Sequence, residues 1–363
     1  MRFTFFGGYD PAYPRNAVIR KGLGKNGAGV RECRVSPRHK FWARYPQLAA
    51  RFRRGTDILF VPEFCQKDVP AAAFLARLWG KKVIFDPLVS RFETKIIDWG
   101  WKPADSPAAW WNRRIDAAAF SLADLVLADT SAHKDYYCGE FGLALSKVEV
   151  LPIGYDDELY RPVDGSAGPL DAARSNGKFD VLFFGSFVPL HGAEVIAEAA
   201  RLVAGTDPNI RFTFIGGGRT LAKAKDAAAG LENVVFIERL PEADLRTRIA
   251  AADVCLGIFG RTEKAGRVVP NKIFQSMGIG KPVITARTPA IEEFFRDGAE
   301  IRLCDEPRAE TLAAAVLEMK GDPALRDRIA RAGLALVQER FSAAAIGKRL
   351  LEIAASRFGS RIG

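Results

Sequence analysis

The stretch that decides the fold is residues 254–285, VCLGIFGRTEKAGRVVPNKIFQSMGIGKPVIT. A short apolar run is followed by a polar, basic loop, by a helical pattern that Pro270 opens and Gly278 and Gly280 close, and by a second apolar run. Proline at a helix start and glycine at its end are the usual punctuation of a helix. Apolar runs without polar alternation are typical of strands covered on both faces, as in a parallel sheet. The stretch therefore predicts one strand–helix–strand unit of an α/β fold.

The same alternation extends outward over the whole chain. Strands are predicted at 2–6, 29–35, 57–62, 82–85, 125–128, 148–152, 179–184, 211–215, 234–237, 254–259, 282–285 and 300–303, with alanine-rich helical patterns between many of them. Two doubly wound parallel sheets are the expected architecture. Residues 164–178, rich in Gly, Pro, Ser and charge, predict a linker between an N-terminal domain over 1–163 and a C-terminal domain over 179–341. Residues 342–358 form one further amphipathic helix that the second sheet does not need.

Composition indicates a globular protein of two domains. The 363 residues are 48% hydrophobic and 26% charged, which is ordinary for such proteins. No run approaches the ~20 apolar residues of a membrane span, and the first residues predict a strand and not a signal peptide. Five scattered cysteines without a Cys-x-x-Cys pair disfavour a disulfide framework and favour a reducing cytoplasm. The absence of Asp-x-Asp and of clustered His and carboxylate residues predicts no metal cofactor.

The positive charge is concentrated at the N-terminus. The first 54 residues hold thirteen Lys and Arg against Asp10 and Glu32, whereas the whole chain has a net charge of +10. Such a field favours phosphate-rich partners: anionic lipid, nucleic acid or a phosphorylated substrate. Residues 39–54, HKFWARYPQLAARFRR, mix aromatic and basic side chains. Three interpretations stay open: a helix packed on its own sheet with a solvated basic face, a patch on an anionic membrane surface, and a nucleic-acid surface.

Two strand–loop–helix junctions predict a phosphate site. In residues 179–192, FDVLFFGSFVPLHG, a strand ends at Gly185 and a helix opens near Gly192. Free N–H groups at a helix start hold a diphosphate, and His191 adds a donor there unless it is only a cap or a surface residue. The helix that Pro270 opens is expected to point into the same crevice. Both helix starts are therefore expected to converge on one pyrophosphate.

The glycines of FIGGGR, residues 214–219, follow another strand. Without a Cβ they allow a ligand to approach the backbone closely. A merely tight turn is the alternative.

These motifs resemble the retaining glycosyltransferases of family four, which have the GT-B fold. The resemblance rests on GSFVPLHG (185–192), the strand at 252–259, PNKIFQSMGIGKPVIT (270–285) and PAIEEF (289–294), with weaker matches at 9–16, 86–94, 123–133 and 150–162. It implies two Rossmann-like domains facing a cleft, with a nucleotide-sugar donor bound by the C-terminal domain and an acceptor by the N-terminal one. It also implies a last helix, within 342–363, that crosses back onto the N-terminal domain, and a reaction without a divalent metal.

The resemblance also suggests roles for residues. Expulsion of a nucleoside diphosphate builds negative charge that helix starts and cationic side chains stabilise. The residues expected to bind the donor are Gly185, Ser186, His191, Gly192, Gly216, Gly217, Arg219, Asn271 and Gln275. Catalytic roles are expected for Asp86, Arg267 and Lys272. Acceptor contacts are expected from Gly8, Arg15, Asn16, Glu93 and His133. Asp86 follows a strand and either orients a sugar or caps the loop before Pro87.

Two positions depart from the family pattern. The family commonly has two glutamates eight positions apart, and these fall at Arg267 and Gln275. Gln275 can still hydrogen-bond a ribose hydroxyl, and Arg267 can grip phosphates. The predicted function is glycosyl transfer, with retention, from a nucleotide-diphosphate sugar to a phosphorylated or lipid-linked glycan at the cytoplasmic face of a membrane.

Two rival functions stay open. The first is a catalytically silent homologue that binds a nucleotide sugar or a partner protein, which the residues at 267 and 275 favour. The second is a basic nucleic-acid binder, which the absence of a recognisable nucleic-acid motif disfavours. A Rossmann dehydrogenase is disfavoured because no Gly-x-Gly-x-x-Gly follows the first strand.

Overall fold

The structure, a computed structural model, describes residues 1–162 and 177–359, apart from the side chain of Phe41. The chain divides into two compact units: Met1–Gly154 together with the segment that begins at Phe341, and Tyr155–Arg340. Most of the predicted linker 164–178 lies outside the described residues. In the described ranges, no helix has both the length and the apolar character that a membrane crossing requires.

The first unit contains a six-stranded parallel sheet in the order β2-β1-β3-β4-β5-β6. Its elements are β1 (Arg2–Gly7), α1 (Pro14–Lys25), β2 (Gly29–Arg34), α2 (Phe41–Arg51), β3 (Ile58–Val61), α3 (Val69–Leu78), β4 (Lys82–Phe85), α4 (Pro107–Leu122), β5 (Leu125–Ala128), α5 (Ser131–Phe141) and β6 (Val148–Val150). Short 3₁₀ turns lie at Gln66–Asp68 and Leu145–Lys147, and a π turn at Glu93–Asp98.

The helices of this unit lie in two layers. The steps from β2 to β3 and on to β6 run in one direction across the sheet, so right-handed crossovers put α2, α3, α4 and α5 on one face. These four helices contact each other in that order. The step from β1 to β2 runs the other way, which puts α1 on the opposite face. Buried Phe side chains of the strands fill the core between the layers.

The last helix, α13 (Ala343–Phe358), packs against α1 in the first unit. Gly22 and Gly347 lie at the crossing, where a Cβ on Gly22 would be 1.9 Å from the carbonyl oxygen of Ala343. Only glycine leaves room for two helix backbones at this distance. Asn26 also donates a hydrogen bond to the carbonyl of Ala344 at 2.9 Å. The C-terminal helix is therefore built into the first unit.

The second unit contains another six-stranded parallel sheet, in the order β12-β11-β10-β7-β8-β9. Its elements are β7 (Phe179–Phe187), α6 (Ala193–Ala204), β8 (Ile210–Gly218), α7 (Leu221–Ala227), β9 (Val234–Ile237), α8 (Glu242–Ala251), β10 (Val254–Leu256), α9 (Asn271–Gly278), β11 (Val283–Ala286), α10 (Pro289–Glu292), β12 (Arg302–Cys304), α11 (Ala309–Gly321) and α12 (Pro323–Arg340). Turns of 3₁₀ helix lie at Pro189–His191 and Glu263–Arg267.

The two parallel sheets confirm the predicted fold class. The apolar runs are strands covered on both faces, and the core of the second unit packs Phe183, Phe212 and Phe214 against α6 and α11. The punctuation around α9 is also as expected, because Pro270 is the N-cap residue and the helix ends at Gly278. Individual strand ends differ by a few residues from the sequence pattern.

Candidate functional site

The loop from β7 to α6 is shaped by two glycines with positive φ. Gly185 has φ +127° and Gly192, the N-cap residue of α6, has φ +62°. A Cβ on Gly192 would lie 2.4 Å from the carbonyl oxygen of Phe259, in the loop after β10. The two loops are joined there by hydrogen bonds from the amides of Phe259 and Gly260 to the carbonyls of His191 (3.0 Å) and Leu190 (3.2 Å). The start of α6 is therefore held against the neighbouring loop of the same sheet edge.

The start of α9 lies beside this loop. A Cβ on Gly185 would be 3.5 Å from Cε and 3.6 Å from Nζ of Lys272, and 3.9 Å from Cε1 of His191. Lys272 is the second residue of α9, and His191 ends the 3₁₀ turn before α6. The two helix starts thus bring a lysine and a histidine to one glycine. This is the arrangement expected of a phosphate site at the carboxyl edge of a parallel sheet.

Lys272 carries an ammonium group that has no hydrogen-bond partner among the described residues. Its side chain is 5% exposed, and Nζ lies 3.9 Å from the ring centroid of Phe183. Burial lowers the pKa of Lys272 well below its usual range. A buried cation without a counter-charge is costly, and only part of this cost is offset by the aromatic ring. An anion bound at Gly185 would supply the missing partner.

His191 is held in one tautomer. Its Nδ1–H donates to the carbonyl oxygen of Ser186, which leaves Nε2 as the second polar atom of the ring. Burial, with the nearby charges of Lys272 and Lys264, lowers the pKa of His191 well below its usual range. The neutral ring can therefore accept a proton at Nε2 when negative charge arrives. That proton could then be donated to a phosphate oxygen.

Lys264 is a second lysine in this region. It lies in the 3₁₀ turn Glu263–Arg267, is 2% exposed, and is close enough to lower the pKa of His191. The turn is capped by Thr262, whose hydroxyl accepts a hydrogen bond from the amide of Ala265 at 3.4 Å. Sequence reasoning placed Lys264 in a basic loop without giving it a role. Its only sequence signal is a position three residues before Arg267, in the loop that enters α9.

Two residues expected at the donor site are engaged elsewhere in this structure. The Nε2 group of Gln275 donates to the hydroxyl of Tyr160 at 2.8 Å, and that hydroxyl also bonds the carboxylate of Glu242. Arg267 makes an ion pair of 2.6 Å with Glu263, whose side chain is largely exposed. A ribose or phosphate role for either residue therefore requires it to exchange partners or to use its remaining atoms.

The remaining donor-site candidates are Asn271 at the start of α9 and the residues Gly216, Gly217 and Arg219 at and after the end of β8. The Oδ1 atom of Asn271, the first residue of α9, is buried and has no hydrogen-bond partner among the described residues. At Gly216 a Cβ would be 2.1 Å from the carbonyl oxygen of Gly185, so contact between neighbouring strands already requires glycine there. Space is open at Gly217, and Arg219 is exposed. Their donor roles stay predictions.

In the first unit, three neighbouring strands are each followed by a buried carboxyl group. Asp86 comes directly after β4, Asp129 directly after β5, and Glu63 two residues after β3. One carboxyl oxygen of each has no hydrogen-bond partner within the described ranges. The carboxyl ends of parallel strands are where open α/β sheets bind ligands. These groups form a polar, buried edge that can accept hydrogen bonds from hydroxyl groups.

Asp86 is paired with Arg15, and both side chains are buried. Nε of Arg15 donates to Oδ2 of Asp86 at 2.6 Å, and its other nitrogens donate to the carbonyls of Leu151 (3.1 Å) and Pro152 (3.2 Å). Burial raises the pKa of Asp86, against the attraction of Arg15. The amide of Asn16 donates to Glu63 at 2.7 Å, and burial raises the pKa of Glu63 well above its usual range.

His133 is held between two carboxylates. Its Nδ1 lies 2.6 Å from Oδ1 of Asp129 and its Nε2 lies 3.2 Å from Oε2 of Glu93, with all three side chains buried. Burial opposes protonation, but Asp129 and Glu93 together raise the pKa of His133 to about 9. The ring is therefore a cation at neutral pH. It orders Glu93 and Asp129 at the same edge as Asp86.

Three partly buried cations come from the segments that follow β3 and β4. Lys67, in the 3₁₀ turn after β3, and Lys95, in the π turn after β4, both have a lowered pKa because of burial and the positive charge of Arg91. Burial also lowers the pKa of Arg91, whose Nε is buried without a hydrogen-bond partner among the described residues. Cations that repel one another in this way favour an anion between them.

Comparison with known proteins finds relatives among glycosyltransferases. A family model described as glycosyl transferase-like matches residues 193–352. The D-inositol 3-phosphate glycosyltransferase of Arthrobacter sp. is 26% identical over 305 residues, which cover 81% of this chain and 69% of that protein. The enzyme of that name from Nocardia farcinica is 29% identical over 242 residues, which cover 63% and 52%. The fold is GT-B, and these matches make the chain similar to the family-four glycosyltransferases. It spans about half the length of the Nocardia relative.

Solved structures share the fold of this GT-B chain. Anabaena HepE, crystallised with UDP and glucose, superposes with a TM-score of 0.72 at 17% identity and covers 98% of this chain and 99% of its own. Sucrose-phosphate synthase from Thermosynechococcus elongatus gives a TM-score of 0.72 at 14% identity, with 99% of each chain covered. Both agree with two Rossmann-like domains.

The structure gathers the predicted residues of this GT-B chain into two groups. In the second unit, Gly185, His191, Gly192 and Lys272 lie together, with Ser186 bonded to His191. In the first unit, the buried edge unites the predicted Arg15, Asn16, Asp86, Glu93 and His133. The amide of Gly8 donates to Asp68 at 2.8 Å instead.

The sequence reasoning did not select Glu63 and Asp129. The rule that singled out Asp86, an acidic residue at the carboxyl end of a strand, would have found Asp129 as well. In the described ranges, no group of three or more His, Cys, Asp or Glu side chains is arranged to hold a metal ion.

Proposed function

We propose that the chain transfers a glycosyl group from a nucleoside-diphosphate sugar to an acceptor, with retention of the anomeric configuration. The observation that carries the donor part is the buried ammonium of Lys272 beside Gly185 and His191, which has no hydrogen-bond partner in the part of the chain that the structure describes. A diphosphate is the ligand class that relieves this unpaired charge. The relatives named as glycosyltransferases and the structural neighbour crystallised with UDP and glucose support the same class of donor.

In this proposal the second unit stabilises the leaving group. As the bond between the sugar and the β-phosphate breaks, negative charge grows on the phosphate oxygens. Lys272 and Lys264 supply positive charge, and Nε2 of His191, which takes up a proton from solvent when the diphosphate binds, donates a hydrogen bond to the same oxygens. Preorganised charge in a buried site is an effective way to stabilise a developing anion. The protein groups perform this task without an added metal, so activity is expected to survive chelation with EDTA.

The first unit supplies the acceptor site in this proposal. The free carboxyl oxygens of Glu63, Asp86 and Asp129 suit the hydroxyl groups of a sugar or polyol. The cations Lys67, Arg91 and Lys95 suit a phosphate group on the acceptor. The relatives are named D-inositol 3-phosphate glycosyltransferases, and that name also contains a phosphorylated polyol. We therefore favour a phosphorylated hydroxyl compound, either free or as part of a lipid-linked glycan.

Three measurements test the proposal. Calorimetric titration with UDP, GDP and ADP, and with their sugars, identifies the donor, and release of nucleoside diphosphate then reports turnover across phosphorylated and unphosphorylated acceptors. Proton NMR of the product gives its anomeric configuration, and an inverted product would refute retention. Lys272→Met is expected to weaken donor binding, whereas Lys223→Met, at an exposed lysine of α7, is the matched control and should bind the donor like the wild type.

The catalytically silent alternative has its own supporting observation. Neither Arg267 nor Gln275 is a carboxylate, and in this structure each has another partner. Tight nucleotide binding without any turnover across the acceptor panel would favour this alternative over the enzyme.

A further inference from the structure

All six tryptophans of the chain lie between residues 42 and 111. Most of them are on the surface of the first unit, together with other large apolar side chains. Trp42 is 59% exposed, Phe74 67% and Trp110 59%. We call the exposed set the aromatic face; it consists of Trp42, Phe74, Leu78, Ile97, Trp101, Trp110 and Trp111. Folding leaves these side chains in water, although large exposed apolar patches usually mark an interaction surface.

The aromatic face belongs to one helix layer. Trp42 is on α2, Phe74 and Leu78 are one turn apart on α3, and Trp110 and Trp111 are on α4. Helix α3 contacts both α2 and α4. Ile97 and Trp101 come from the segment between β4 and α4. The apolar groups therefore lie on three adjacent helices and one connecting segment.

The same part of the chain is strongly basic on its surface. Between residues 38 and 114, the exposed cations are Arg38, Lys40, Arg51, Arg53, Arg54, Arg77, Lys102, Arg113 and Arg114. Asp105 is the exposed acidic residue in that range, because Glu63, Asp68, Asp86, Glu93 and Asp98 are buried and Asp57 is partly buried. Of the cations, Arg113 is paired with Glu140. Buried acids and exposed bases give this layer a positive surface.

Cations and tryptophan rings are also in direct contact. Lys40 lies 5.0 Å from the ring centroid of Trp42, and the guanidinium of Arg114 lies 5.2 Å from that of Trp110. Arg54 stacks at 3.8 Å on Trp79. Tryptophan beside Lys or Arg is typical of a bilayer interface, where the ring enters the headgroup region and the cation meets lipid phosphates.

We propose that helices α2, α3 and α4 of the first unit form a docking face for an anionic lipid bilayer. Aliphatic Leu78 and Ile97 suit acyl chains and have no role in stacking on nucleic-acid bases. A second copy of this chain would bring the same cations against themselves, which opposes a dimer through this face. The inference does not depend on the proposed activity, because it concerns only the surface of the first unit.

Part of helix α2 has a structural role as well. Leu48 is buried, Tyr45 donates to the carbonyl of Lys67 at 2.6 Å, and Arg44 pairs with Asp68 at 3.1 Å. The helix thus packs on its own sheet, as the first interpretation of residues 39–54 expected, while Trp42 and several basic residues stay in solvent. The docking face extends beyond that segment onto α3 and α4.

Intrinsic fluorescence tests the proposal directly, because all the tryptophans lie in the relevant region. The full chain is titrated with vesicles of phosphatidylcholine alone and with vesicles that also contain phosphatidylglycerol. We expect a blue shift of emission and flotation with the anionic vesicles only, and weaker binding at higher salt, since salt screens charges beyond about 10 Å at 0.1 M. Phe74→Ser/Leu78→Ser keeps every tryptophan and is expected to weaken vesicle binding by about tenfold or more, the loss of burying two large side chains.

Matched variants separate the docking face from general effects. Arg77→Glu/Arg114→Glu is expected to abolish the preference for anionic vesicles, whereas Arg328→Glu/Arg331→Glu, on the exposed side of α12, is expected to leave it unchanged. Circular dichroism and melting temperature verify that each variant is folded. Absence of binding to anionic vesicles, or equal loss in both charge variants, would overturn the proposal. The proposal would also be overturned if Phe74→Ser/Leu78→Ser abolished dimerisation of the chain or tight DNA binding and left vesicle binding unchanged.

Discussion

Replacement of Lys272 by methionine tests the central feature of the donor site. Methionine has nearly the same length and can keep the contact with Phe183, so the change mainly removes the buried charge. A hydrogen bond to a charged group contributes about 1.5–3 kcal/mol. At 1.4 kcal/mol per factor of ten, the affinity for a nucleoside diphosphate should fall about ten- to a hundredfold. Calorimetric titration of wild type, Lys272→Met and Lys223→Met measures this change.

The same substitution should stabilise the ligand-free protein. The native pKa of Lys272 is lowered by burial, so between that value and its usual pKa the unfolded chain binds more protons than the native one. Stability of the wild type therefore rises with pH across this window, and the variant should lack that rise. At neutral pH the variant avoids burial of an unpaired ammonium, and its melting temperature should exceed that of the wild type.

Proton uptake provides an independent measurement. A bound diphosphate would raise the pKa of both Lys272 and His191, so nucleotide binding should take up protons near neutral pH. Titrations in two buffers with different heats of ionisation count these protons. If Lys272→Met binds nucleotide as tightly as the wild type and has a lower melting temperature, the reasoning is refuted, because Lys272 would then be a structural residue.

Three further predictions concern single positions. In the wild type, protonated His133 stabilises the fold, and this stability should be lost as the pH rises from about 6.5, the unfolded pKa, to about 9, the native pKa. The difference of about 2.5 pKa units corresponds to ~3 kcal/mol. His133→Gln should lack this pH-dependent loss, which urea unfolding at several pH values measures. Asp86→Asn should lower the free energy of unfolding by about 3–5 kcal/mol, because Arg15 would stay buried without its carboxylate partner. Recovery of stability in Arg15→Met/Asp86→Leu would support this cause. Near-wild-type kcat in Asp86→Asn would exclude a catalytic role. Gly192→Ala should lower the melting temperature, because the left-handed backbone alone costs about 1–2 kcal/mol and a Cβ would meet a carbonyl at 2.4 Å, whereas Gly217→Ala, where space is open, should be tolerated.

Much of the fold was predictable because its signals are local. A run such as residues 179–184 is apolar at nearly every position, and only a strand buried on both faces suits such a run in a chain of this size. Pro270 and Gly278 mark the ends of α9 by their backbone preferences alone. Local patterns also drew attention to His191 and Lys272, since each lies at a helix start after a strand.

The partners of these side chains were not predictable from local patterns. The burial of Lys264 depends on how one loop folds over its neighbours. The hydrogen bond between Gln275 and Tyr160 joins segments more than a hundred residues apart. Sequence spacing carries no information about such contacts.

By itself the sequence determined the approximate strands and many of the helices, the parallel class of the sheets and several residues at the sheet edges, because hydrophobic periodicity and the backbone preferences of Pro and Gly act over short distances. The tertiary structure alone decided that Lys272 has no counter-charge among the described residues, that His133 lies between Asp129 and Glu93, and that the acids of residues 38–114 are mostly buried while many of the bases are exposed. The physical reason is that desolvation and Coulomb attraction depend on distances in space. Those distances exist only after segments remote in sequence have packed together.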